Sequence, residues 1–71
     1  MKYIRHKTKG FFLFPEAISE SDMAYFFCAN PRVDIISAGF VGPNLVCYGH
    51  SQLLNIGVKL DDSEMLRSQF E

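Results

Sequence analysis

Prolines at positions 15, 31 and 43 punctuate this 71-residue chain, so it must fold as a series of brief elements. Before the first, Phe11-Phe12-Leu13-Phe14 is a continuous apolar run of strand length closed by Pro15. Residues 2–7 read as an earlier strand. Their lysines and arginine suit a sheet edge, where charge discourages pairing with other molecules. Thr8-Lys9-Gly10 between the two is a turn, with Gly10 able to take positive φ. The chain should therefore open with a hairpin.

A helix is predicted between Pro15 and Pro31. Ser19 is a good N-cap, and Glu20 and Asp22 fall in the first turn, where the helix dipole favours acids. Met23, Phe26, Phe27 and Asn30 recur at i, i+3, i+4 and i+7. The first three form an apolar stripe, which predicts that the helix rests on the sheet through Phe26 and Phe27. Pro31 disfavours helical geometry at Asn30 and ends the element.

Residues 33–41 are rich in β-branched and aromatic side chains and read as a long strand. Gly42-Pro43-Asn44 is a turn, and residues 45–48 return as a partner strand. Gly39 and Gly49 within strand patterns indicate bulges or close backbone approach. Residues 52–58 fit either a further short strand or a loop. Asp61 caps a closing helix, with Glu64 as its capping-box partner and Met65, Leu66, Gln69 and Phe70 on one face. The expected fold is one small α+β domain over residues 1–71, of order ββαββ(β)α. It would have two layers, an antiparallel sheet of four or five strands with one or two helices on one face.

Size limits stability. A chain this short buries roughly 60% of its unfolded surface, a marginal return against conformational entropy. Cys28 and Cys47 allow at most one disulfide. The basic start is followed by only four apolar residues, 11–14, too few for a signal core. No stretch approaches the ~20 apolar residues needed to cross a membrane, and none of Asn30, Asn44 and Asn55 begins a glycosylation sequon. A cytoplasmic protein with two free thiols, no membrane contact and a partner subunit as its stabilising device is the expectation. With 48% hydrophobic residues and a net charge of -1, disorder and a wholly basic nucleic-acid coat are excluded. Charge is nevertheless polarised. Lys2, Arg5, Lys7 and Lys9 share the first nine residues with no acid, whereas the remainder holds three bases against eight acids.

Motifs that would carry chemistry are weak. Lys9-Gly10-Phe11 matches the start of the RNA-recognition-motif signature, but Phe12 breaks it at the next position. His6, His50, Cys28 and Cys47 lack metal-ligand spacing, so no metal and no cofactor are expected. His50-Ser51 with Asp61 or Asp62 supplies the residue types of a hydrolase triad, yet neighbours on a strand point to opposite faces. Cys47 and His50 fail for the same reason. Gly39-Phe40-Val41-Gly42 is no phosphate loop, because Pro43 removes a donor N–H and no Lys follows. No catalytic residue is expected. Glu16, Glu20 and Asp22, and then Asp61, Asp62 and Glu64, read as two helix N-termini. As surface groups they would suit a basic partner or the basic strand of a second copy.

Ile36-Ser37-Ala38-Gly39-Phe40-Val41, Cys47-Tyr48-Gly49-His50-Ser51 and Leu54-Asn55-Ile56-Gly57 together resemble short uncharacterised proteins of bacteria and their phages. The resemblance spans residues 36–57 and implies a cytoplasmic accessory protein carried on a phage, prophage or other mobile element, with no assigned site residues.

Two functions are expected in order. The first is a non-enzymatic protein-interaction module, homodimeric and acting by docking, one form of which binds and inhibits a host protein. Seven Phe and three Tyr are hard to hide in so small a domain. Tyr3, Phe40, Tyr48 and Phe70 are its candidate contact residues. The alternative is a nucleic-acid-binding module using Lys2, Arg5, Lys7 and Lys9, whose affinity would fall steeply with salt.

Overall fold

The computed structural model describes residues 1–27, 34–52 and 54–70. Strand β1 (Lys2–His6) and strand β2 (Gly10–Phe14) form the expected hairpin, in register from Lys2 opposite Phe14 to His6 opposite Gly10. Gly10 takes φ +84°, as the turn requires. On its other side β1 pairs antiparallel with β3 (Ile35–Val41), with a register shift between Arg5 and His6. Strand β4 (Cys47–Tyr48) pairs with β3, so the four-stranded sheet runs β2-β1-β3-β4. The basic strand is thus central, not an edge. Its cations tolerate that place because each meets an acid from a neighbouring element.

Helix α1 (Glu20–Phe27) begins at the predicted cap, where Ser19 Oγ accepts the Asp22 N–H at 3.1 Å. Pro43–Leu45 forms a single 3-10 turn after β3, with Asn44 and Leu45 at positive φ. Gly49, at φ +78°, turns the chain out of β4 into β5 (His50–Ser51). Strand β5 pairs with β6 (Ile56–Gly57) in a separate two-stranded sheet, which answers the ambiguity over residues 52–58. Helix α2 (Asp62–Phe70) follows Asp61, whose carbonyl accepts the Met65 N–H at 2.9 Å.

The class is α+β with an antiparallel sheet, as expected. Alternation along β1 sorts the core into two clusters. Ile4 joins Phe14, Ala24, Ile35 and Ala38 under α1, with Met23, Leu54 and Ile56 packed alongside. Tyr3 joins Phe11, Cys47 and Leu66 under α2, with Leu13, Val41, Leu45 and Val58. The two helices consequently cover opposite faces, giving three layers where two were expected. Gly39 makes this packing possible. A Cβ there would lie 2.6 Å from the Tyr48 carbonyl oxygen and 2.9 Å from Val58, so the close approach read from the sequence is real.

The stripe predicted for α1 holds at Met23 and fails at Phe26. Ala24 is buried and Met23 half-buried, but Phe26 is 81% exposed. Glu20, Met23 and Ala24 form the inward-facing row, because Glu20 is drawn to Lys2 of the sheet. Cys28, Asn30, Pro31, Val33 and Leu53, and the side chain of Phe27, lie outside the described residues.

Candidate functional site

The residue types that could carry chemistry are gathered into two buried polar clusters, one under each helix. Beneath α2, Asp62 is fully buried at the helix N-terminus. Its Oδ2 accepts the Tyr3 hydroxyl at 2.5 Å and the Lys59 backbone N–H at 3.0 Å, and its Oδ1 accepts Arg5 Nη1 at 2.9 Å. Arg5 also reaches Asp61 at 3.1 Å and lies over the Phe11 ring, 5.3 Å from its centroid. Ser37 Oγ is the one buried side-chain polar atom without a hydrogen bond among the described residues.

The electrostatics of this cluster are mutually reinforcing. Burial pushes the Asp62 carboxyl up, but the Tyr3, Lys59 and Arg5 donors outweigh it and hold the group below the usual carboxylate range. Tyr3 moves the other way: burial, then the hydrogen bond to Asp62 and its charge, raise the phenol well above its ordinary value. Burial works against the Arg5 cation, yet its two carboxylate partners raise it. Burial and the Asp62 charge also raise the Cys47 thiol, which leaves it a poor nucleophile.

Beneath α1, Lys2 Nζ donates to Glu20 Oε1 at 2.5 Å and Ser51 Oγ donates to Oε2 at 2.9 Å. The Leu54 N–H in turn donates to Ser51 Oγ at 3.2 Å, so this chain of bonds ties β1, α1 and the β5–β6 hairpin together. Burial raises the Glu20 carboxyl, but the Lys2 and Ser51 donors prevail and lower it. A carboxylate so held is a weak base. At the β1–β2 turn, His6 Nδ1 accepts the Thr8 and Lys9 N–H groups at 3.1 and 3.0 Å. That pattern requires an unprotonated Nδ1.

Three of the four cations assigned to the nucleic-acid alternative are therefore engaged by acids. Lys2 is paired with Glu20, Arg5 with Asp61 and Asp62, and Lys7 with Asp34 at 3.3 Å. Lys2 is only 8% exposed. Lys9 lies at the turn with an exposed side chain. Sequence reasoning assigned the acids to helix starts, or to a basic partner or the basic strand of a second copy, and missed that they pair with the basic strand of their own chain; the signal available was four bases clustered in nine residues against acids placed elsewhere.

The predicted contact aromatics divide. Tyr3 is wholly buried, since its ring fills the α2 cluster and its hydroxyl bonds Asp62, so it is corrected from a contact residue to a core one. Phe40 and Tyr48 come together, opposite each other across β3 and β4, with stacked rings 5.6 Å apart. They line an open cleft of about 400 Å³ with Glu20, Gly49, His50 and Gln52. Tyr48 is 53% exposed. Phe70, 51% exposed, stands apart at the end of α2 on the other face.

Sequence reasoning did not single out Ile18 or Tyr25 and read Met23 and Phe26 as facing the sheet. Tyr25 is 72% exposed, and Ile18, Met23 and Phe26 line a second cleft of about 310 Å³ with Asp22. Among the described residues no group of three His, Cys, Asp or Glu side chains is placed to hold a metal ion. No described helix is long and apolar enough to cross a membrane. No family model, curated protein or solved structure matches the chain.

Proposed function

We propose that this chain is a protein-interaction module that docks through the α1 side of its sheet, and that its partner is a second copy of itself. One observation carries the reading: several side chains depart from the usual distribution between core and surface. Lys2, His6 and Asp62 are buried, while Tyr25, Phe26, Tyr48 and Leu60 are exposed. A lone exposed apolar residue means little, but buried charge together with several large exposed apolar groups marks surface kept for contact. The Phe40–Tyr48 pair supplies a rigid aromatic platform beside α1, and Tyr25 supplies an amphipathic ring of the kind enriched at interfaces. The internal pairing of Lys2, Arg5 and Lys7 tells against the nucleic-acid alternative. An accessory or inhibitory role toward a host protein would use the same surface.

Light scattering after size exclusion tests the proposal on the wild type and on Tyr25→Ser and Tyr48→Ser. The expected wild-type mass is that of a pair, falling toward a single chain in both variants while each keeps the circular dichroism of the folded chain. A wild type that elutes as a single chain at every concentration, or a pair indifferent to both changes, refutes it.

A further inference from the structure

Strand β2 is an edge of the four-stranded sheet, and an edge strand offers unpaired backbone groups to any strand that approaches. Here a side chain occupies that position. The Gln69 carboxamide accepts the Phe11 N–H through Oε1 at 2.8 Å and donates through Nε2 to the Phe11 carbonyl at 3.1 Å. These are the two bonds that a neighbouring strand residue would exchange with Phe11. The fit relies on Gly10: a Cβ on that residue would stand 2.5 Å from Gln69 Oε1. Because Phe11 points its backbone groups away from β1, alternation points those of Leu13 outward as well.

We infer that Gln69 is a strand-mimicking plug, and that when it withdraws the β2 edge pairs antiparallel with the β2 of a second copy. Centring that pairing on Phe12 sets Phe11 opposite Leu13 of the other copy, and Leu13 opposite its Phe11. Both pairs then have outward-facing donors and acceptors, and Phe12 meets its own copy across the two-fold axis. The same register brings Lys9, just before each β2, toward Glu16 just beyond the other, a carboxylate that is exposed and held only loosely by the terminal ammonium at 3.5 Å, so charge complementarity favours this occupant. This edge is separate from the α1-side surface, and the inference holds whether or not that surface forms a dimer.

Sedimentation velocity on Gln69→Ala, made in wild-type and Tyr48→Ser backgrounds, reads the plug without interference from the aromatic surface. Removing two competing hydrogen bonds should tighten self-association by about tenfold or more in both backgrounds. Adding Leu13→Pro, which deletes an outward-facing N–H, should reverse the gain, whereas Leu13→Ala, which trims the side chain packed beside the α2 cluster but keeps the N–H, should leave it. Folding of each variant is checked by its circular dichroism. Should Gln69→Ala fail to fold, amide exchange on the wild type decides. The Leu13 N–H is then expected to exchange quickly in dilute solution and to become protected as concentration rises. Equal association of Gln69→Ala and its parent, or a Leu13 amide that exchanges at one rate at all concentrations, overturns the inference.

Discussion

At the scale of single residues, burial decides which carboxylate matters. Asp61 and Asp62 are neighbours, and both bond Arg5 Nη1, but Asp62 is fully buried whereas the Asp61 side chain is half exposed. Asp62→Asn leaves a largely buried guanidinium and a buried phenol poorly partnered, and should cost about 3 kcal/mol in urea unfolding. Asp61→Asn should cost less than about 1 kcal/mol, because an exposed pair is screened by water. Equal losses would mean that the cluster is not organised around Asp62. The sequence marked both residues as helix-start acids correctly. It had no means of showing which one faces Tyr3, since that depends on a strand 59 residues away in the chain.

The same groups set the pH dependence. Asp62 and Glu20 have folded-state pKa values below their ordinary ones. Their contribution is therefore complete above the unfolded value near 4 and is lost as pH falls through the lower folded value. Tyr3 shifts upward, so its contribution is complete below the unfolded value near 10 and is lost as pH rises beyond it. Urea midpoints across pH should show both limbs, and Tyr3→Phe should flatten the alkaline one. An alkaline limb unchanged in Tyr3→Phe would assign it to other groups.

At the scale of elements, local signals were read well and long-range pairing was not. Ser19, Pro15, Gly10 and Gly42-Pro43-Asn44 act within a few residues, and each sits at an element boundary or turn as read. The α1 stripe went wrong at Phe26 because periodicity scores that residue as core without sensing the pull of Lys2 on Glu20. For β1 the error had a similar origin. Cations read as edge protection, whereas their acid partners arrive from α1 and from the start of α2. Glycine substitutions probe the packing directly. Gly39→Ala places a methyl against the Tyr48 carbonyl and Val58 and should lower stability by about 1–3 kcal/mol. Gly57→Ala meets nothing nearer than 3.7 Å and should change stability by no more than about 1 kcal/mol. Thermal melts of the two variants check the contrast, and comparable melts would contradict the three-layer packing.

At the scale of the whole molecule, the fold buries Lys2 and Asp62 and leaves Tyr25, Phe26 and Tyr48 exposed. The sequence announced a surplus of aromatics and a polarised charge, but not their final places. Tyr3 went to the core, Phe40 and Tyr48 met across two strands, and Tyr25 joined the surface unannounced. Apolar docking and charge-driven binding respond to salt in opposite ways, since screening weakens the second and leaves the first intact or stronger. Sedimentation equilibrium of the wild-type chain over a wide concentration range, at low and at high salt, is therefore the most direct measurement. The expected result is a reversible monomer–dimer equilibrium that salt does not weaken. A chain that stays monomeric throughout, or a dimer that dissociates as salt is added, would contradict it.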